Sequence, residues 1–364
     1  MQFLERYFKL KDNGTNVRTE LLAGLTTFLT MAYIIFVNPS ILGDAGMPKD
    51  SVFVATCLAA AIGTLIMGLY ANYPIALAPG IRATPYLADP EVKGRGRSWE
   101  AALGAVFTTG CLFILVSLFK IREMIINSIP PALRTAITVG IGLFLAIISL
   151  KSAGIVVSNP ATIIALGDLH QAAPILAILG FFIIVALDRL KVPGAILIGI
   201  LTITIASFFF GGNEFNGIVS APPAIEPTLF KLDIMGALSI GIVNVVLVFF
   251  LVELFDATGT LMGVANRAGL LKDGKMERMN KALLADSTAI AAGACLGTSS
   301  TTAFVESAAG VQAGGRTGLT AVAVALLFLG SLFFAPLAHT VPPYATAPAL
   351  LYVACLMLRE LTYI

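Results

Sequence analysis

The chain has 364 residues, of which 57% are hydrophobic and 12% charged, and its formal net charge is +2. A mean hydropathy of +0.91 leaves too little polar surface for a water-soluble globule of this length, so the composition specifies a polytopic, all-α membrane protein. Four cysteines (Cys57, Cys111, Cys295, Cys355) lie in apolar runs without paired spacing, and His170 and His339 stand alone in connecting segments. Neither set makes a disulfide frame or a metal site, and no cofactor is expected.

The N-terminal MQFLERYFKLKDNG is a short amphipathic start without the compact apolar core of a signal peptide. The apolar run 21–42 is therefore predicted to stay as the first span. Further spans are predicted near 52–71, 99–118, 133–150, 174–190, 192–212, 238–261, 281–297, 317–337 and 346–358. Two apolar pieces, 73–88 and 298–313, are too short to cross and are interrupted by Gly, Pro, Ser or Thr. Such broken segments in corresponding places point to a transporter's binding site, and they bring the total to about twelve membrane segments. With the N-terminus inside, 16 of the 23 Lys and Arg fall on the cytoplasmic side. The local exception is Lys93, Arg95 and Arg97, clustered after the first broken segment.

Asn38 in FVNPSILG and Asp256 in LFDATGTLMG lie 218 residues apart, as do Gly80 and Thr298 in the two broken segments. An inverted repeat would leave this trace, each half supplying one half-helix whose free N-terminal amides point to the midplane. Small residues that allow tight helix packing explain many of the 34 glycines but not the paired positions.

Asp256 and Glu306 are the acids that stand out. A charged carboxylate at mid-membrane costs roughly 3 kcal/mol on insertion scales, so its presence there signals a substrate or ion pathway. A salt bridge fixing helix packing is the alternative, and no Lys or Arg lies in the same apolar runs to provide it. Glu253, nearly one helical turn before Asp256, shares a similar face. Thr260, Ser300, Thr301 and Thr302 offer hydroxyls nearby, which either meet a ligand or bond back to a backbone carbonyl. Arg316 begins a span, as a positive-inside anchor or as part of the core. Asp286 caps a helix turn or joins the polar network of the core.

The segments KLKDNGTNVRTELLAGLTTFLTMAYIIFVNPSIL, LFDATGTLMGVANRAGLL, ALLADSTA and LGTSSTTAFVESAAGVQAGGRTGLTAV closely resemble the adenine/guanine/hypoxanthine permeases of the xanthine/uracil permease superfamily. The resemblance implies fourteen membrane segments in two inverted sets of seven, divided into core and gate domains. On that pattern 1–118 and 213–337 form the core halves, 119–212 the first gate half, and 338–364 the start of a second gate half. The chain stops at LMLRELTYI, about two segments short of the family pattern, and is expected to transport poorly alone. The resemblance further implies proton-coupled uptake of purine nucleobases across the plasma or inner membrane. Asp256 then serves mainly as substrate ligand and Glu306 as proton carrier, although two neighbouring carboxylates titrate as a pair. A purine presents ring N–H donors and acceptors, which a carboxylate and a hydroxyl or backbone amide can meet together. The expected partners are a purine base, a proton and the bilayer, with no nucleic acid and with a homo-oligomer left open.

The first broken segment departs from the family pattern APGMGLNAYF and reads APGIRATPYLADPEVKGRGRSW. Arg82 stands where a small glycine is expected and Thr84 where an asparagine is expected, so Thr84 is a candidate ligand and Arg82 a modifier of the site. Arg82 pairs with Asp256 or Glu306, creates an anion site at a half-helix N-terminus, or marks a damaged copy. Two rival functions follow: an anion carrier of the same fold, and a protein that binds substrate without transporting it. An enzyme is not expected, because there is no nucleophile-and-base set, no phosphate-cradling loop and no paired Cys/His motif.

Overall fold

The computed structural model describes residues 2–80, 98–119, 131–159, 162–212, 215, 217–239, 242–267, 269–272 and 275–359. In chain order these form α1 (Gln2–Phe8), α2 (Val17–Met31), α3 (Ile34–Asp44), α4 (Lys49–Ile66), β1 (Leu77–Pro79), α5 (Trp99–Leu118), α6 (Pro131–Ser152), β2 (Val156–Asn159) and β3 (Ile163–Leu166). They continue with α7 (Ala172–Arg189), α8 (Ala195–Phe210), α9 (Ile234–Ser239), α10 (Ile242–Arg267), β4 (Leu271–Lys272), β5 (Lys275–Met276) and α11 (Met279–Leu296). The last elements are β6 (Thr301–Ala303), α12 (Ser307–Gln312), α13 (Gly318–Ser331), α14 (Ala335–Thr340) and α15 (Pro343–Leu358). Among the described residues, five helical stretches are long and apolar enough to cross a membrane: Val17–Asp44, Lys49–Ala71, Trp99–Leu118, Ala172–Arg189 and Gly318–Thr340.

The chain divides into two compact units. One comprises Met1–Ile129 with Pro222–Leu332, and the other Pro130–Ala221 with Phe333–Ile364. In the second unit α15 packs on α6, α7 and α8, and the Ser149 hydroxyl donates to the Ala347 carbonyl at 2.6 Å. The exposed hairpin β2–β3 follows α6.

The first unit holds both broken segments. The span expected at 21–42 is one apolar stretch but not one helix: α2 stops at Met31, and a turn at Ala32 and Tyr33 precedes α3. Asn16 caps the start of α2, its side-chain oxygen accepting from the Thr19 amide at 3.0 Å. Trp99, at the start of α5, packs against a cluster of Leu42, Met47, Val52 and Leu103.

Each broken segment contains a short strand, and the two strands pair antiparallel, Leu77 opposite Ala303, Ala78 opposite Thr302 and Pro79 opposite Thr301. The pairing continues beyond the strands, where the Gly80 amide donates to the Ser300 carbonyl at 2.7 Å and the Phe304 amide to the Ala76 carbonyl at 3.0 Å. Side chains complete the set. Thr64 of α4 both donates to the Leu77 carbonyl and accepts from the Leu77 amide, each at 2.9 Å, and the Ser307 hydroxyl accepts from the Ala76 amide at 3.0 Å. In a hydrocarbon layer an unpaired backbone group costs several kcal/mol, so irregular chain survives there only when satisfied in this way. Of the landmarks spaced by 218 residues, Gly80 pairs with the Ser300 carbonyl and Asn38 meets the Thr298 hydroxyl.

Behind the strands, Asn38 is fully buried. Its amide nitrogen donates to the hydroxyls of Thr56 and Thr298, both at 2.8 Å, and its oxygen accepts from Ser299 at 3.1 Å. One carboxamide thus ties α3 to α4 and to the turn entering β6. Gly297, with φ +91°, ends α11 and turns the chain into that loop, a conformation that suits glycine. The half-helix α12 rides on α2 so closely that a Cβ on Gly310 would collide with the Thr27 hydroxyl and the Ala23 carbonyl.

Two stability predictions follow from this packing. Gly310→Ala overpacks the α2–α12 contact and is expected to cost about 1–3 kcal/mol. Asn38→Leu, similar in size, leaves three buried hydroxyls with lost partners and is expected to cost about 1–3 kcal/mol. Both should lower the thermal unfolding midpoint of the purified protein followed by circular dichroism, and an unchanged midpoint for either would contradict the contact concerned.

Candidate functional site

Glu306 is the residue immediately before α12 and is half-buried. The Tyr33 hydroxyl donates to its carboxylate at 2.7 Å, and Tyr33 itself is 1% exposed. The turn between α2 and α3 therefore has a structural use: it sets a phenol at the level of the second broken segment. A carboxylate at the N-terminal end of a helix also lies in the favourable direction of the peptide dipoles.

β6 is fixed from a second side by Asp286 of α11, which is fully buried. One of its oxygens accepts from the Thr302 hydroxyl at 2.9 Å and from the Ala303 amide at 3.2 Å. Of the two roles open to Asp286 in the sequence, the structure selects the polar network of the core. Burial away from water strengthens such bonds.

The hydroxyls singled out in the sequence fall into different environments. Thr302 directs its hydrogen to Asp286. Thr301 is fully buried and its hydroxyl lies against Gly293 of α11, where a Cβ would collide with it. Ser300 is 1% exposed, and the hydroxyls of Ser300 and Thr301 have no hydrogen-bond partner among the described residues. A buried hydroxyl without a partner is costly unless something else meets it. Thr260 is buried on α10, one turn after Asp256, and Glu253 is buried on the same helix.

Asp256 lies within α10, and its side chain is outside the described residues, as are Arg82 and Thr84 altogether. α10 packs directly on β6 and on α12: Leu261 and Val264 share one buried cluster with Tyr73, Leu77, Ala303 and Ala308. The helix bearing one sequence-selected acid and the half-helix bearing the other are thus neighbours within one unit.

Arg316 is more than a surface anchor. Its guanidinium donates to the Val311 carbonyl at 2.7 Å and the Gly315 carbonyl at 2.8 Å, closing the C-terminal end of α12. Sequence reasoning passed over Tyr33, and used Asn38 only as a landmark of the repeat. The available signal for both was a polar side chain inside the first apolar span, the same signal that picked out Asp256 and Glu306.

The arrangement is a pair of chain breaks held together by backbone pairing, with a carboxylate at the start of a half-helix and, at the entry to β6, two buried hydroxyls without a partner among the described residues. Comparison with known proteins agrees with a transport function. A model of the permease family (Xan_ur_permease) matches residues 18–362. The adenine permease AdeP of Escherichia coli is 48% identical over 98% of this chain and 81% of its own length. The guanine/hypoxanthine permease PbuO of Bacillus subtilis is 47% identical over 98% of this chain and 84% of its own. Among solved structures, the transmembrane domain of the cyanobacterial bicarbonate transporter BicA shares the fold, with a TM-score of 0.74 over 94% of this chain and 89% of that one, at 18% identity. The chain is a multi-pass membrane protein and belongs to the xanthine/uracil permease family, a family of transporters and not of enzymes.

Proposed function

We propose that this permease moves purine nucleobases across the cell membrane in symport with protons. The observation that carries the reading is the similarity, over nearly the whole chain, to relatives named as adenine and guanine/hypoxanthine permeases. The geometry supports it. A flat base bears donors and acceptors on its rim, and the second broken segment offers both kinds of group: the Ser300 hydroxyl just before β6 as donor or acceptor, and the Glu306 carboxylate just before α12 as acceptor. Asp256, on the neighbouring α10, supplies a second carboxylate in this reading, with Thr260 one turn away. Glu306 is the proton carrier: its carboxylate is already hydrogen-bonded by Tyr33, and taking up a proton exchanges an acceptor for a donor at the same place.

The unit containing both breaks acts as the core domain, and the unit built on α6, α7, α8 and α15 as the gate. The paired strands β1 and β6, one from each broken segment, support an inverted repeat. The charge distribution supports a cytoplasmic N-terminus, since 16 of 23 Lys and Arg then lie inside.

The test is accumulation of radiolabelled adenine, guanine and hypoxanthine in cells lacking their own purine permeases. Uptake through the wild-type chain should rise as the medium is acidified. Asp256→Asn and Glu306→Gln each remove a charged hydrogen-bonding partner and should lower uptake by about ten- to a hundredfold, and Glu306→Gln should also flatten the pH dependence. Uptake that ignores pH and survives both substitutions would overturn the proposal, and saturable transport of bicarbonate or sulfate in place of a purine would favour the anion reading.

A further inference from the structure

The first span, α2 with the turn that follows it, holds the half-helix α12 at both ends, and the second attachment is a buried carboxylate that the transport reading does not use. Glu20, in the first turn of α2, is fully buried. One of its oxygens accepts from the Arg316 amide at 2.9 Å. The other accepts from the amide and hydroxyl of Thr317, at 3.2 and 2.8 Å, and from the amide and hydroxyl of Thr320, at 3.2 and 2.7 Å. Glu20 thereby caps the N-terminus of α13 from a different helix. The remaining amides of that first turn are met as well, Gly318 by the Asn72 side chain at 2.7 Å and Leu319 by the Thr317 hydroxyl at 3.4 Å.

Arg316 connects this cap to the half-helix. Its backbone amide is held by Glu20, while its guanidinium holds the Val311 and Gly315 carbonyls at the end of α12. At the other end, Glu306 is held by Tyr33, and between the two Gly310 lies against Ala23 and Thr27. The distance from Glu20 to Tyr33 along the first span therefore fixes where α12 starts and stops.

We propose that Glu20, acting through Arg316, is a positioning residue for Glu306: it anchors the far end of α12 to the first span, so that the site carboxylate is held in register from both sides. A carboxylate suits this role better than an amide or a hydroxyl. Several donors converge on it from one loop, and both of its oxygens accept, where an amide would offer one acceptor and a hydroxyl cannot reach both sides. The consequence for transport rests on the function proposed above, whereas the anchoring itself does not.

The experiment uses the full chain in lipid nanodiscs, comparing wild type, Glu20→Gln, Glu20→Asp, Arg316→Gln and the Glu20→Gln/Arg316→Gln double variant. Hydrogen–deuterium exchange should quicken at the amides of Ser307–Gln312 in Glu20→Gln and in Arg316→Gln, while α4 and α11 stay as protected as in wild type. Glu20→Asp should recover part of the protection. Faster exchange confined to residues 316–320 would show a local helix cap and nothing more, and would overturn the proposal, as would unchanged exchange throughout. In vesicles, KM for radiolabelled adenine should rise by roughly tenfold in each single variant, and no further in the double variant, because both act on one attachment. Lower uptake at unchanged KM would indicate only that less protein reaches the membrane, and would also count against it. The exchange measurement decides the anchoring whether or not the wild-type chain takes up adenine, whereas the transport reading stands or falls on the uptake and pH test given above.

Discussion

Hydrocarbon offers no hydrogen bonds, so a chain that leaves its helix inside a membrane must find partners for every N–H and C=O it exposes. Here the two departures from helix answer each other. The strand Leu77–Pro79 meets Thr301–Ala303, and the groups at its margins are taken by Thr64, Ser307, Asp286 and the backbone of Ser300. The proposed site in the first unit derives from that solution. It allows a helix to begin partway across the layer, and with it a place for Glu306 where an uninterrupted span would offer only side chains.

The demand for pairing also explains which parts of this architecture can be read from the residues. Hydropathy places most of the membrane helices, because twenty apolar residues in a row have few other uses. The two broken segments are legible for the converse reason: 73–88 and 298–313 are apolar yet too short and too rich in Gly, Pro, Ser and Thr to span. Their mutual pairing is not legible, since neither strand exceeds three residues and no alternation announces it. The turn at Ala32 and Tyr33 is hidden as well, because the apolar run continues through it. The acids were visible as charges in the wrong solvent, whereas the partners that orient them, such as Tyr33 on Glu306 and Thr302 on Asp286, come from distant positions and emerge only once the helices are packed.

The likeness to a bicarbonate transporter's membrane domain at 18% identity separates skeleton from cargo. The same fold occurs in a protein named for a small anion and in one whose relatives are named for purine bases. A fold of this kind fixes where a ligand can sit and leaves the choice of ligand to a handful of side chains. In this chain the side chains proposed for that role are acidic and hydroxylic, and the first span steadies their surroundings: Asn38 holds the loop that enters β6, and Tyr33 holds the carboxylate that follows it.

Trp99 is the single tryptophan of the chain, and it sits at the head of α5 against Leu42, Met47 and Leu103. Its near-ultraviolet emission is therefore a one-site optical reporter, free of overlap from other indoles. Because the ring borders the end of α3, whose Asn38 grips the loop before β6, small rearrangements of that end of the first unit should be visible in the native, unlabelled protein.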